Sequence, residues 1–307
     1  MPKRVLTITM NPAVDVNTEA DEVVTNQKVR CDKPDYDPGG GGINVARVLQ
    51  RLGVSVDAYY LAGGVTGNFL EYLLEEEKVF GERFEIAELT RENTSIIDRK
   101  TGEQYRFVLP GPAIREGEWR QALEQIKEKI TEYDVVVGSG SLPPGVPDDF
   151  YAQIGKQVLD EGKMYVLDTS GDFLAEGVTN GATFIKPNQE EFEELKKQTG
   201  ASTNDEVTQK LFDLGIENII HTEGKEGTKL INKGGVKKFK PPEIEVNSSI
   251  GAGDSFVGGL VAGLVDGMNA NKAVCYGISA AASTLKSAGT DLCDLTDVQN
   301  IHAQLCK

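Results

Sequence analysis

The chain opens on an alternation of apolar and polar positions, Leu6, Ile8 and Met10 against Thr7 and Thr9, and this period of two predicts a strand over residues 5–10. Further along the pattern changes. A helix is predicted over 118–132, where Trp119, Leu123, Ile126 and Ile130 recur at i, i+4, i+7 and i+11. The run Val135, Val136, Val137 follows, of the kind found in strands covered on both faces. Helical spacing around Phe150, Ile154 and Val158 leads to a strand over 165–168. Strands over 183–186 and 218–222 then bracket helices over 189–197 and 206–214. Short strands separated by helices predict an α/β fold, with a mainly parallel sheet and helices on both faces. Right-handed crossovers gather the loops after the strands on one edge, where such folds bind ligands.

Two stretches break this alternation. Residues 94–98 and 104–108 read as short strands around the turn Arg99-Lys100-Thr101-Gly102, and 15–18 and 28–31 read as strands with no helix behind them. Together they predict a small β-sheet projecting from the body as a lid, drawn from about 15–34 and 92–110. A second hairpin, 228–232 turning at Gly234-Gly235 into 236–239, is expected on the edge of the main sheet. No repeat, linker or low-complexity segment divides the chain, so residues 1–307 are read as one domain carrying its lid.

Composition narrows the possible partners. The 307 residues carry 48 acidic against 32 basic side chains, a net charge of −16, which argues against a nucleic-acid or anionic-membrane binder. A small anionic ligand stays open, because a few local cations outweigh a distant surface screened beyond about 10 Å. No stretch approaches the roughly 20 apolar residues of a membrane span, and no signal peptide is recognisable. Cys31, Cys275, Cys293 and Cys306 are scattered and form no CxxC pair, so reduced thiols in a cytoplasmic protein are expected. With only His221 and His302, histidine-based metal sites and Ser-His-Asp chemistry are disfavoured.

Three constellations carry chemistry. In Ser249-Ile250-Gly251-Ala252-Gly253-Asp254-Ser255, glycines precede a long helix rich in small residues, whose unpaired N–H groups would face an anion. Asp254 among them is either a proton acceptor for a phosphoryl-transfer reaction or a helix cap. Pro38-Gly39-Gly40-Gly41-Gly42-Ile43-Asn44-Val45-Ala46-Arg47 strips side chains from a turn before a helix, giving either a flexible turn or bare backbone for a polyhydroxyl ligand. Gly63-Gly64-Val65-Thr66-Gly67-Asn68 repeats the theme more weakly. In Lys186-Pro187-Asn188-Gln189-Glu190-Glu191, Asn188 and Glu191 form either a capping box or an amide–carboxylate pair for hydrated Mg²⁺ on phosphates. Neither GxxxxGK[ST] nor GxGxxG is present, which disfavours P-loop and Rossmann dinucleotide sites.

The order and spacing of the Gly39–Arg47 segment, Gly63-Gly64 with Gly67, Asn188 with Glu191, and Gly251-Ala252-Gly253-Asp254 resemble the PfkB/ribokinase family of carbohydrate kinases over essentially the whole chain. Residues 102–111, 138–145 and 289–293 are most similar to its branch of minor 6-phosphofructokinases, 1-phosphofructokinases and tagatose-6-phosphate kinases. The resemblance implies a ribokinase-like three-layer α/β/α fold, with ATP and Mg²⁺ as cofactors. The implied substrate is a hexose phosphate, foremost fructose 6-phosphate, and the implied assembly is a homodimer through the lid. It implies Asp254 as catalytic base, with Gly251, Ala252 and Gly253 as the anion hole. Lys186, Asn188, Thr222 and Gly224 are implied at the nucleotide, and Glu191, Asn188 and Asp168 near the metal. Asp15, Gly40, Asn44 and Ser141 are implied at sugar hydroxyls, and Lys28, Arg30 and Arg91 at the sugar phosphate. A non-catalytic sugar-phosphate-binding regulator on the same scaffold is the alternative of another class, and the presence of Asp254 weighs against it.

Overall fold

The computed structural model describes residues 3–287 and 291–305; Cys306 and the first two residues of the 289–293 motif lie outside these. The chain begins β1 (Val5–Thr9), β2 (Ala13–Ala20), β3 (Asp35–Gly39), α1 (Gly41–Arg51), β4 (Val56–Ala62), α2 (Gly64–Glu76) and β5 (Gly81–Glu85). It continues β6 (Arg91–Asp98), β7 (Gln104–Phe107), α3 (Glu116–Ile130), β8 (Val135–Ser139), α4 (Phe150–Asp160), β9 (Met164–Asp168), α5 (Gly171–Gly177) and β10 (Ala182–Ile185). The remainder is α6 (Gln189–Gln198), α7 (Asn204–Asp213), β11 (Ile216–Thr222), β12 (Thr228–Asn232), β13 (Gly235–Phe239), α8 (Ala252–Val265), α9 (Ala270–Lys286) and α10 (Leu295–Leu305).

Nine strands form one sheet in the order β13-β12-β11-β10-β9-β8-β1-β4-β5, parallel except for β12 and β13. Its core is split by the alternation of each strand. Leu6 and Ile8 of β1, Val136 of β8 and Tyr165 of β9 pack with α3 to α7 on one face. Val5, Val135, Val137 and Val166 pack with α1, α2, α8 and α9 on the other. Both faces of the central strands are therefore apolar, as the valine run requires. Three layers result, α/β/α, matching the fold class expected from the periodicity.

A second sheet of four strands, β3-β2-β6-β7, stands apart from the first. The hairpin read around 99–102 is β6 and β7, paired antiparallel. The strand read over 28–31 is not formed: Cys31 makes an isolated bridge to Ala20, while Lys28 and Arg30 lie exposed in the connection between β2 and β3. The fourth strand is instead β3, whose Tyr36, Asp37 and Pro38 face Val16, Asp15 and Val14. The thiols also differ from expectation. Cys31 and Cys293 are free, but Cys275 is disulfide-bonded.

Sheet order creates the functional edge. From β1 the chain moves outward to β4 and β5, then returns to place β8 on the other side of β1. The crevice outside the carboxyl ends of β1 and β8 is thus the topological switch point, where ligands of such sheets bind. Helix α1 begins there. A Cβ on Gly42 would stand 2.6 Å from the carbonyl oxygen of Ile8, and one on Gly41 2.8 Å from the amide nitrogen of Gly140. Only residues without side chains let the helix start so close to the strand ends.

Candidate active site

Helix α8 starts at the same edge. Gly251 is its N-cap in the left-handed region, φ 71°, a conformation that costs a glycine little. The first intrahelical bond runs from the Ser255 amide to the Gly251 carbonyl at 2.8 Å, so the amides of Ala252, Gly253 and Asp254 are left without helical acceptors. Asp254 does not cap the helix. Its Oδ2 instead accepts a hydrogen bond from Asn44 Nδ2 at 2.8 Å. Burial drives the Asp254 carboxyl up to about 7, helped by the charge of Asp168 and opposed by Asn44 and Lys186.

Lys186, at the end of β10, is 8% exposed, and its Nζ lies 3.0 Å from Asp168 Oδ1 at the end of β9. A Cβ on Gly253 would stand 3.7 Å from this ammonium, which fixes it beside the α8 amides. Burial disfavours its charge, yet Asp168, Glu191 and Asp254 together outweigh that and hold Lys186 above its ordinary value. Burial raises the carboxyls of Asp168, Glu191 and Asp15 as well. One cation thus sits among carboxylates that each gain from additional positive charge.

Asn188 and Glu191 form a capping box on α6: Asn188 Oδ1 accepts from the Glu191 amide at 2.9 Å, and Glu191 Oε2 from the Asn188 amide at 2.8 Å. The cap leaves Glu191 Oε1 out of the exchange. Thr222 bridges Asn188 in parallel register, its amide donating to the Pro187 carbonyl at 3.0 Å; Gly224 opens the exposed turn that follows. For Mg²⁺ the donor set fits in one way only. Among the described residues no three acidic, His or Cys side chains are grouped to cage an ion. A hydrated ion carried mainly by phosphates, needing one or two carboxylates such as Glu191 and Asp168, suits this arrangement.

The small sheet supplies the opposite wall. Asp15 on β2 accepts from Asn93 Nδ2 on β6 at 2.8 Å, and it packs over Gly39 beside Gly40. Asp15, Asn93, Ser95 and Arg106 share one face of the sheet, and this face lines a small cavity with Ile250. Ser141 Oγ accepts from Asn11 Nδ2 at 3.1 Å and lines a neighbouring cleft of about 470 Å³ with Arg91 and Gly111. Arg91 is spent largely on backbone, donating to the carbonyls of Asn11 at 2.8 Å, Leu109 at 2.9 Å and Pro12 at 3.4 Å. Lys28 and Arg30 are not brought into this group. Arg106, Asn93 and Asn11 were missed by sequence reading, although Arg106 lies on the 104–108 strand directly opposite Ser95, where a period of two could have singled it out.

Unpaired helix amides, a buried ammonium and a carboxyl poised near neutrality are the kinds of group that phosphoryl transfer onto a hydroxyl calls for. The chain belongs to the pfkB family of carbohydrate kinases, whose model matches residues 6–297. It is 34% identical to the ATP-dependent 6-phosphofructokinase isozyme 2 of Escherichia coli over 99% of both chains. It is 33% identical to a tagatose-6-phosphate kinase of Staphylococcus epidermidis over 85% of each. The solved structure of phosphofructokinase-2 from Escherichia coli in complex with fructose-6-phosphate superposes with a TM-score of 0.89, at 32% identity over 99% of this chain and 100% of that one.

Proposed function

We propose that this protein transfers the γ-phosphoryl group of ATP to the 1-hydroxyl of fructose 6-phosphate, in the cytoplasm. The observation that carries the reading is the Asp254 carboxyl, held at about 7 beside three unpaired amides and the Lys186 ammonium. Asp254 takes the hydroxyl proton as the phosphoryl group moves. The amides of Ala252, Gly253 and Asp254, aimed by the left-handed Gly251 at the head of the anion hole, receive the negative charge on the migrating oxygens together with Lys186; loss of one such donor typically costs about 10²–10³ in rate. Mg²⁺, when bound on the nucleotide phosphates, neutralises part of their charge, and Glu191, Asn188 and Asp168 orient its hydration shell. Thr222 and Gly224 line the nucleotide. Asp15, Gly40, Asn44 and Ser141 hold sugar hydroxyls, and Arg91 meets the sugar phosphate with donors not spent on backbone.

Lys28 and Arg30 complete the phosphate contacts across a homodimer built on the small sheet. Support comes from the face of that sheet opposite Asp15, where Val16, Ile96, Tyr105 and Phe107 are side by side and Phe107 is 53% exposed. Tagatose 6-phosphate is the second substrate reading, supported by the likeness to a kinase of that name. Initial rates with fructose 6-phosphate, fructose 1-phosphate, tagatose 6-phosphate and free fructose at saturating MgATP test the assignment. The highest kcat/KM is expected for fructose 6-phosphate; turnover of free fructose at a comparable kcat/KM would refute it.

A further inference from the structure

Arg47 has no part in the chemistry proposed above, yet it is a buried cation, 3% exposed, on the helix that carries Asn44. A guanidinium in such a place persists only if its donors are met. All five of its N–H groups have an acceptor. Nε donates to Glu77 Oε2 at 2.7 Å, and Nη2 to Glu77 Oε1 and to Asp37 Oδ1, the latter at 3.2 Å. Nη1 donates to the Pro38 carbonyl at 3.1 Å and to Asn44 Oδ1 at 3.2 Å. We infer that Arg47 is a positioning residue for phosphoryl transfer: by holding Asn44 Oδ1, it leaves the Asn44 amide one orientation, with Nδ2 facing Asp254.

The argument is one of donors and acceptors. A turned Asn44 amide would set its NH₂ against the guanidinium and its oxygen against the Asp254 carboxylate, losing both bonds at once. With the amide fixed, Asp254 Oδ2 is always engaged by a donor, and Oδ1 is the oxygen left for the substrate hydroxyl. The fork also grips Asp37 and Pro38 on β3, the strand leading directly into Gly39 and Gly40. Glu77, just past α2, clamps the guanidinium from the outer side. The base, the sugar-side glycines and the small sheet are thereby held to one another through a single side chain. Lysine could not replace it, having three donors and no planar fork.

This inference rests on the reading of Asp254 as the base. In the full-length protein Arg47→Lys is expected to lower kcat about 10- to 100-fold, because a base misplaced by a fraction of an ångström loses its alignment, with KM for ATP changed less than about 2-fold. In an Asn44→Ala background the same change should add less than about 2-fold, since the residue through which it acts is gone. Glu77→Gln, which keeps the guanidinium and loosens one clamp, should give a smaller loss of about 3- to 10-fold that also disappears in Asn44→Ala. It serves if Arg47→Lys does not fold. Losses that multiply independently of Asn44, or an unchanged kcat in Arg47→Lys and Glu77→Gln, overturn the inference. Asp254→Asn measured in parallel separates the two failures: turnover surviving that change removes the base and the inference with it. Turnover lost in Asp254→Asn but normal in Arg47→Lys removes the positioning role alone.

Discussion

Replacing Asp254 with Asn should make the protein more stable and nearly inactive, with both effects tied to pH. The carboxyl is raised from an ordinary value of about 3.9 to about 7, chiefly by burial. For a group raised in the folded state, the stabilising contribution is complete below the unfolded value and disappears as pH climbs through the folded one. Between about pH 4 and pH 7 the native protein therefore loses stability relative to the Asn variant at about 1.4 kcal/mol per pH unit. The loss levels off above pH 7 at about 4 kcal/mol at most. The side chain keeps some solvent contact, so about 2–3 kcal/mol between pH 5 and pH 8 is the expected reading. Urea unfolding of both proteins at several pH values gives the difference directly. Turnover of the native enzyme should rise as pH passes about 7, because only the ionised carboxylate accepts a proton, and the variant should retain no more than about 1% of it. A stability difference that is the same at pH 5 and pH 8 would show that the carboxyl is not held in the pressed state described here. Near-normal turnover of the variant would remove it as the base.

Three further substitutions separate architecture from chemistry. Gly253→Ala places a methyl group whose nearest neighbour is Lys186 Nζ at 3.7 Å, so stability should shift by less than about 0.5 kcal/mol while turnover falls at least about 10-fold, the methyl standing where phosphate oxygens are to sit. A matching loss of melting temperature would instead make Gly253 a packing position. Glu191→Gln keeps an acceptor for the Asn188 amide, so unfolding should change by under about 0.5 kcal/mol while the Mg²⁺ concentration for half-maximal rate rises several-fold. An unaltered Mg²⁺ titration would reduce Glu191 to its cap. Arg91→Ala removes donors to three backbone carbonyls and should cost about 1–3 kcal/mol in stability. It should also raise KM for fructose 6-phosphate about 10-fold with KM for ATP nearly constant; equal changes in both constants would leave Arg91 a strut between the β1–β2 turn and the segment after β7.

Legibility in the sequence followed the range of the physics involved. The strands read over 134–137, 165–168 and 218–222, and the helices around them, announced themselves locally and match β8, β9 and β11 to within two residues at each end, because burial on both faces writes itself into every consecutive residue. Strand β3 was invisible: Asp35-Tyr36-Asp37-Pro38-Gly39 has the composition of a turn, and it pairs only because β2 offers an edge. The 28–31 segment shows the reverse error, an alternating pattern with too little apolar surface to hold it in a sheet. Asp254 was visible as a chemical group, but whether it capped its helix depended on Asn44, 210 positions away. The Arg47 contacts were equally hidden, since a single helix position gave no hint that five acceptors from four residues would meet it.

The central place of β1 in the sheet has a bearing on synthesis. Val5 pairs with Val56 on one side and with Val135 on the other, so the strand that organises the crevice waits 130 residues, from 5 to 135, for its second neighbour. At about 5–20 residues per second, the second neighbour appears on the order of ten seconds after the first strand leaves the ribosome. Through that interval Val5-Leu6-Thr7-Ile8-Thr9 is an uncharged, β-favouring segment with a bare edge, a template for pairing with other nascent chains. A strand optimised to be covered on both faces is therefore also the segment that a holding chaperone would be most useful in shielding.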